Sequence, residues 1–286
     1  MSGVSAAVER IRNAPWRLWF VQLRAIVGME YRRNLFSRRA LWVYFLAFAP
    51  TMIILLHSIV SRQGDHSMEM DTEILATIFQ FYYVRLAIFF GALGIATRLI
   101  RGEMVEHSLH YYLLAPVRRE VLLLGKFAAG LVGMLMIFLT AVFASFVFMY
   151  MHFGPRAMMW MLQGVGSVHL KAYLGMTVLA CLGYTAVFML LSMLFKNPAP
   201  AAMLVLLWEV INPVLPALFQ KISIASYIRH LTPVAPRVEG LFALLTVATE
   251  PVPPWAAATG VVAVTIGILA LSCYFVRRLE ISYTGD

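Results

Sequence analysis

The sequence predicts an all-α membrane protein with six transmembrane helices, and three observations predict it. The 286 residues are 61% hydrophobic and 13% charged, with a mean hydropathy of +0.79. A soluble domain is nearer half apolar and a quarter charged. Apolar runs long enough to cross a bilayer recur along the chain. The arginines and lysines gather between those runs, and unequally on alternate sides.

Residues 1–14 are polar. From Pro15, "PWRLWFVQLRAIVGMEYRRNLFSRR" alternates apolar and polar residues at a helical period. Trp16, Trp19, Phe20, Leu23, Ile26 and Val27 share one face, while Arg17, Arg24, Arg32 and Arg33 fall largely elsewhere. That pattern predicts an amphipathic helix in the membrane interface, its arginines toward the headgroups. Spans follow at about 41–60, 74–99, 121–152, 171–195, 199–220 and 256–276. The third is over-long for a hydrocarbon layer of about 30 Å, so it tilts or projects. Between spans 3 and 4, "RAMMWMLQGVGS" reads as a short interfacial helix. In span 5, Pro213 and Pro216 predict a kink or break near its end. Residues 221–255 hold five prolines around "VEGLFALLTVA", a piece too short to cross, and read as half-helices.

Charge sets the orientation. With Arg85 inside span 2, only Arg62, Arg156, Lys171, Lys221, Arg229 and Arg237 fall on the side away from the N-terminus, out of 23 arginines and lysines. The excess places both termini in the cytoplasm. The organisation is then a cytoplasmic N-terminus with the interfacial helix over 1–40, a six-helix domain over 41–278 and a tail over 279–286. No cleavable signal peptide is evident, because the first forty residues are arginine-rich. The formal charge of +9 is membrane-flanking arginine rather than a nucleic-acid patch. Cys181 and Cys273 both sit in apolar runs, which excludes a disulfide scaffold and a CxxC site.

Arg85 and Glu209 fall near mid-span, where charges normally face a partner or a water-filled cavity. They are expected to pair with each other or to line the route between protomers. His57, His66, His152, His169 and His230 fall on the outer side. External metal, pH sensing and haem ligation are open to them, though no close pair has ligand spacing.

One polar segment interrupts the apolar pattern on the cytoplasmic side: "RGEMVEHSLHYYLLAPVRREVLLLGK", Arg101 to Lys126. Glu103 and Glu106 complement the first turn of a helix over about 102–116, and Pro116 ends it. Such a helix rests on the membrane surface or against a partner protein. Glu103, Glu106, His107 and His110 also share one face, with the ligand types of a divalent-metal site. No second stripe matches them, and a solvated charged face is the commoner arrangement.

These residues carry a resemblance. Glu103, then His107-Ser-Leu-His110, Leu113, Leu114 and Pro116, then Arg118-Arg-Glu120 and the pair Gly125–Lys126 resemble the pattern of ABC-2 type permeases. Those are membrane subunits of one class of ATP-binding-cassette exporters. The layout over about residues 20–280 is similar as well. His107 stands where that family has glycine, Ser108 where it has threonine and His110 where it has an acid. The resemblance implies that 102–116 is a coupling helix seated in a separate P-loop ATPase. Glu103, Glu106, His107, His110, Tyr111, Tyr112, Leu113, Arg118 and Arg119 would be its contacts. It further implies two ATPase copies, a second permease copy in a homodimer or pseudo-dimer, membrane lipid around the spans and no nucleic acid. The location implied is the bacterial cytoplasmic membrane.

The chain is not expected to be an enzyme by itself. The phosphate-cradling G-x-x-x-x-G-K-[ST] is absent, so ATP and Mg belong to the ATPase and no cofactor is bound directly. Two other classes share the hydropathy. An integral-membrane enzyme needs a nucleophile with its base, and neither GxSxG nor HExxH occurs. A non-transporting anchor for an electron-transfer or sensory complex needs no ATPase. The substrate is not legible: apolar walls suit hydrophobic or lipid-linked cargo but also other work.

Overall fold

The computed structural model describes residues 15–35, 37, 40–60, 67–105, 114, 117–212, 215–236 and 252–278. Every element there is helical. Helix α1 spans Trp16–Leu35 and α2 spans Ala40–Val60. Helix α3 runs from Met68 to Gly102 with two π-helical stretches, Ile78–Ala87 and Arg98–Gly102, and continues into a turn Glu103–Val105. Helix α4 spans Arg119–Tyr150, α5 Pro155–Gln163, α6 Val165–Leu194 and α7 Pro198–Ile211. The short α8 (Ala217–Gln220) and α9 (Ile224–Arg229) precede α10, Pro254–Arg277.

Local chemistry sets the ends of these helices. Ser67 caps α3 by accepting from the Met70 amide at 3.2 Å, and Glu69 and Asp71 complement its dipole. Gly154, at φ 68°, takes the left-handed turn between α4 and α5, and Pro155 starts the next helix. Asn197 caps α7 ahead of Pro198, which pre-sets the first helical φ.

Among the described residues, five helices are long and apolar enough to cross a membrane: α2, α3, α4 (through Phe153), α6 and α10. The sixth expected span, 199–220, is corrected. Helix α7 ends at Ile211, and its 14 residues reach only about 21 Å. Asn212, just after α7, keeps helical angles, and Pro216 stands in extended backbone as the N-cap of α8. The helix stops in the stretch where Pro213 and Pro216 predict a kink or break; Pro213 lies outside the described residues. Helices stand at Trp16–Leu35, Arg119–Tyr150 and Pro155–Gln163, where the sequence predicts an amphipathic helix, an over-long span and a short helix. Of the half-helix region, α9 lies in the described part, and "VEGLFALLTVA" lies outside it.

Helices α4 and α6 form the middle of the bundle. Helix α4 packs on α1, α2, α6 and α10, and α6 packs on the α3 segment Ile88–Thr97, on α10 and on α5. Burial follows this order. More than half of the apolar window of α3 and of α6 is covered by the chain, against 22% for α10. On α2, apolar side chains such as Leu41, Phe45, Ile53 and Leu56 are exposed on the outside of the bundle.

A hydroxyl cluster ties α2, α3 and α4 at mid-depth. Thr51 Oγ1, Tyr83 OH and Ser145 Oγ lie 2.8–3.0 Å from one another, and the Tyr83 hydroxyl also reaches the Ala47 carbonyl. In an apolar bundle such bonds join helices that hydrophobicity alone does not hold together. Tyr83→Phe is expected to lower stability by about 0.6–1.7 kcal/mol, measured by unfolding in mixed micelles.

Candidate functional site

The polar segment of the sequence is rooted in a buried knot of charge. On α1, Trp19, Leu23, Ile26 and Glu30 lie along one face, and Ile26 and Glu30 are buried against α4. Gly125 makes that approach possible, because a Cβ there would stand 3.0 Å from the Ile26 side chain. The next residue, Lys126, is 1% exposed and faces the same helix. Its Nζ lies 2.9 Å from Glu30 Oε1 and 2.7 Å from Glu103 Oε1. Arg33 Nη1, on the half-exposed rim, lies 3.3 Å from the same Glu103 oxygen. Among the described residues, two carboxyl groups and two basic side chains thus join α1, the end of α3 and the start of α4. Burial pushes the Glu103 carboxyl above the usual carboxylate range, and the adjacent Lys126 ammonium opposes that rise.

Around the knot, Arg118 stands just before α4 with its guanidinium 4.7 Å from the centre of the Trp19 ring. Arg119 donates to the Arg277 carbonyl at 3.2 Å, and Arg277 pairs with Glu120, which ties α10 to α4. Glu106, His107, His110, Tyr111, Tyr112 and Leu113 lie outside the described residues. Among the described residues no group of three histidine, cysteine or acidic side chains is placed to hold a metal ion. Glu103, the described member of the metal alternative, is committed to Lys126 and Arg33.

A second polar site lies where α7 stops. Glu209 is 5% exposed. It accepts from the Ser223 hydroxyl and from the amides of Ile224 and Ala225, the last two at 3.2 Å. It is an acid from one helix serving the first turn of another, α9. The expected direct pairing with Arg85 is corrected. No ion pair joins the two among the described residues, and the Arg85 guanidinium lies 5.0 Å from the Phe81 ring centre. An acid that serves three donors has little left to offer a guanidinium. Arg85 is buried in the π-helical stretch of α3, close enough for its charge to act on Glu209.

Helix α9 is seated by glycines on two spans. A Cβ at Gly183 on α6 would stand 2.8 Å from Ile224, and one at Gly260 on α10 would stand 2.5 Å from Tyr227. Beyond α9, Gln80 of α3 donates to the Thr232 hydroxyl. Gly183 lies 11 residues from the end of α6 and Glu209 lies 11 from the start of α7. Both are thus about 17 Å along helices that share one short turn, which is near mid-bilayer.

Sequence reading missed Glu30 and Arg33, and it used Lys126 only as half of a glycine–lysine pair. The signal for Glu30 is its place: an acid four residues after Ile26, on the face that otherwise packs. Nothing in the sequence pointed to Ser223.

A family model described as "ABC-2 family transporter protein" matches residues 36–212. The matched stretch holds Arg85, Glu103, Lys126 and Glu209, while Glu30 and Ser223 lie outside it. No curated protein matches the chain.

Proposed function

Since the chain belongs to the ABC-2 transporter family and is the membrane permease part of such a transporter, we propose that it couples ATP hydrolysis on a separate P-loop ATPase to export. Residues of about 102–116, ended by Pro116, act as the coupling helix. Two permease copies and two ATPase copies make the working unit. Both termini and the charged knot face the cytoplasm of a bacterial inner membrane, with ATP and Mg held on the ATPase.

The observation that supports this reading best is the knot of Glu30, Arg33, Glu103 and Lys126. A lever works only if its base does not yield. Here the base of the segment is fixed to α1, α3 and α4 by buried charge-assisted contacts of 2.7–2.9 Å. A push on the segment then moves three helices together as a rigid body. At the other end of the transport route, α9 fills the mid-depth space beside Arg85 and Glu209. It is the element that has to shift for cargo to pass, a broken-helix arrangement familiar in transporters.

The test is affinity purification of the full chain from its native host. A P-loop ATPase is expected to co-purify in equal amount, and Tyr111→Ala with Tyr112→Ala and Leu113→Ala is expected to lose it. Recovery of the permease without an ATPase, or undiminished binding by the triple variant, overturns the reading.

A further inference from the structure

At the end of the bundle opposite the knot, Asp71 stands in the first turn of α3 with no exposed surface. Neither of its carboxylate oxygens accepts a hydrogen bond among the described residues. A buried carboxylate in that state is strongly disfavoured unless a cation balances it. Two imidazoles stand next to it. His152 Nε2, in the turn after α4, is 3.3 Å from Asp71 Oδ2, and His57 Nε2, in the last turn of α2, is 3.8 Å from Oδ1. Their rings meet edge to face at 6.3 Å. Among the described residues, the ion pairs of Asp71 are with these two imidazoles, and the hydroxyls close by are uncharged. The Tyr150 phenol on α4 is bonded to Thr72 at 2.9 Å, and the Ser58 hydroxyl on α2 lies 3.5 Å from His152 Nδ1.

The charge balance at this buried point is therefore set by protons. Imidazole gains and loses its proton between about pH 5 and 8, and only imidazolium forms an ion pair with a carboxylate. The three side chains come from three different spans, so the pair spans the interface between them. We infer that His57, Asp71 and His152 form a proton-operated clamp on the ends of α2, α3 and α4. Protonated, it holds the three helix ends together. When the imidazoles lose their protons, Asp71 is left as a buried charge without a cation among its described neighbours. Separation of the helix ends, which lets water reach the carboxylate, then relieves that charge. In the orientation proposed above, this end faces the outside, and the clamp responds to external pH.

The test uses the full chain in lipid nanodiscs without any ATPase, so its failure is separate from failure of the transporter reading. Hydrogen exchange is followed in peptides covering residues 54–60, 68–75 and 149–153, with intrinsic rates corrected for pH. Wild-type protection is expected to fall about tenfold between pH 6 and pH 8. In Asp71→Asn, and separately in His57→Gln with His152→Gln, protection is expected not to change with pH. Wild-type protection that stays constant, or a pH response that survives in either variant, overturns the clamp. Protection restored at pH 8 by added Zn²⁺ in the wild type also overturns it, since the balancing cation is then a metal and not a proton.

Discussion

Lys126→Met lowers the stability of the folded chain by about 3–5 kcal/mol, the usual effect of breaking a buried ion pair from one side. Glu30 and Glu103 are each 2% exposed and share this one ammonium. Without it, two carboxylates face each other in an apolar interface with Arg33 at the rim. Methionine fills nearly the same volume, so the loss reports charge and not packing. The triple variant Glu30→Gln, Glu103→Gln, Lys126→Met is expected to recover most of the stability, because the charge it leaves, Arg33, stands at the half-exposed rim where water solvates it. The unfolding midpoint in nanodiscs measures both; the single variant should fall by about 10 °C. A midpoint unchanged by the single substitution, or a triple variant no better than the single, shows that the knot does not hold the helices together. For function, the triple variant separates stability from coupling. It folds, but its neutral contacts grip α1 less firmly, so ATP-driven transport should drop further than the amount of folded protein does.

The second large effect lies at Glu209. Glu209→Ala removes the acceptor for one hydroxyl and two amides at once. Each buried donor left alone is worth about 1–3 kcal/mol, and partial entry of water brings the expected sum to about 3 kcal/mol. Glu209→Gln keeps one carbonyl oxygen and is expected to lose about 1 kcal/mol. The exchange of Arg85→Glu with Glu209→Arg tells pairing from capping. A guanidinium only donates, so it cannot accept from Ile224 and Ala225. The exchange is expected to be at least as harmful as Glu209→Ala, both in unfolding midpoint and in transport. Recovery by the double exchange means that the two charges serve each other directly and that the cap is incidental.

Both effects fall on residues whose types were visible in the sequence but whose partners were not. Glu209 was found as an acid in an apolar run, and Arg85 in the same way. Their nearness invited a pair, yet a carboxylate with three hydrogen-bond donors in reach is satisfied without one. Ser223 and α9 lie beyond the prolines that end α7, so no helical period links them to Glu209. Glu103 and Lys126 were noticed within one motif as separate marks. That they touch depends on α3 and α4 running antiparallel and side by side. Glu30 is 96 residues from Lys126, and its role depends on how closely α1 lies against Gly125.

Composition and period determined the class of protein, the place of the long helices, the amphipathic α1 and the break near Pro213. Each of these rests on interactions within about four residues or on the solvent that a segment requires, and both are written in local sequence. Tertiary structure alone decided that α7 stops at half depth with α9 beside it, that Lys126 is shared between Glu30 and Glu103, and that His57 and His152 meet at Asp71. Those are choices of partner among charged and polar groups far apart in the chain. A buried charge selects whichever opposite group the packing of apolar surfaces carries to within a few ångströms, and that packing is a property of the whole bundle.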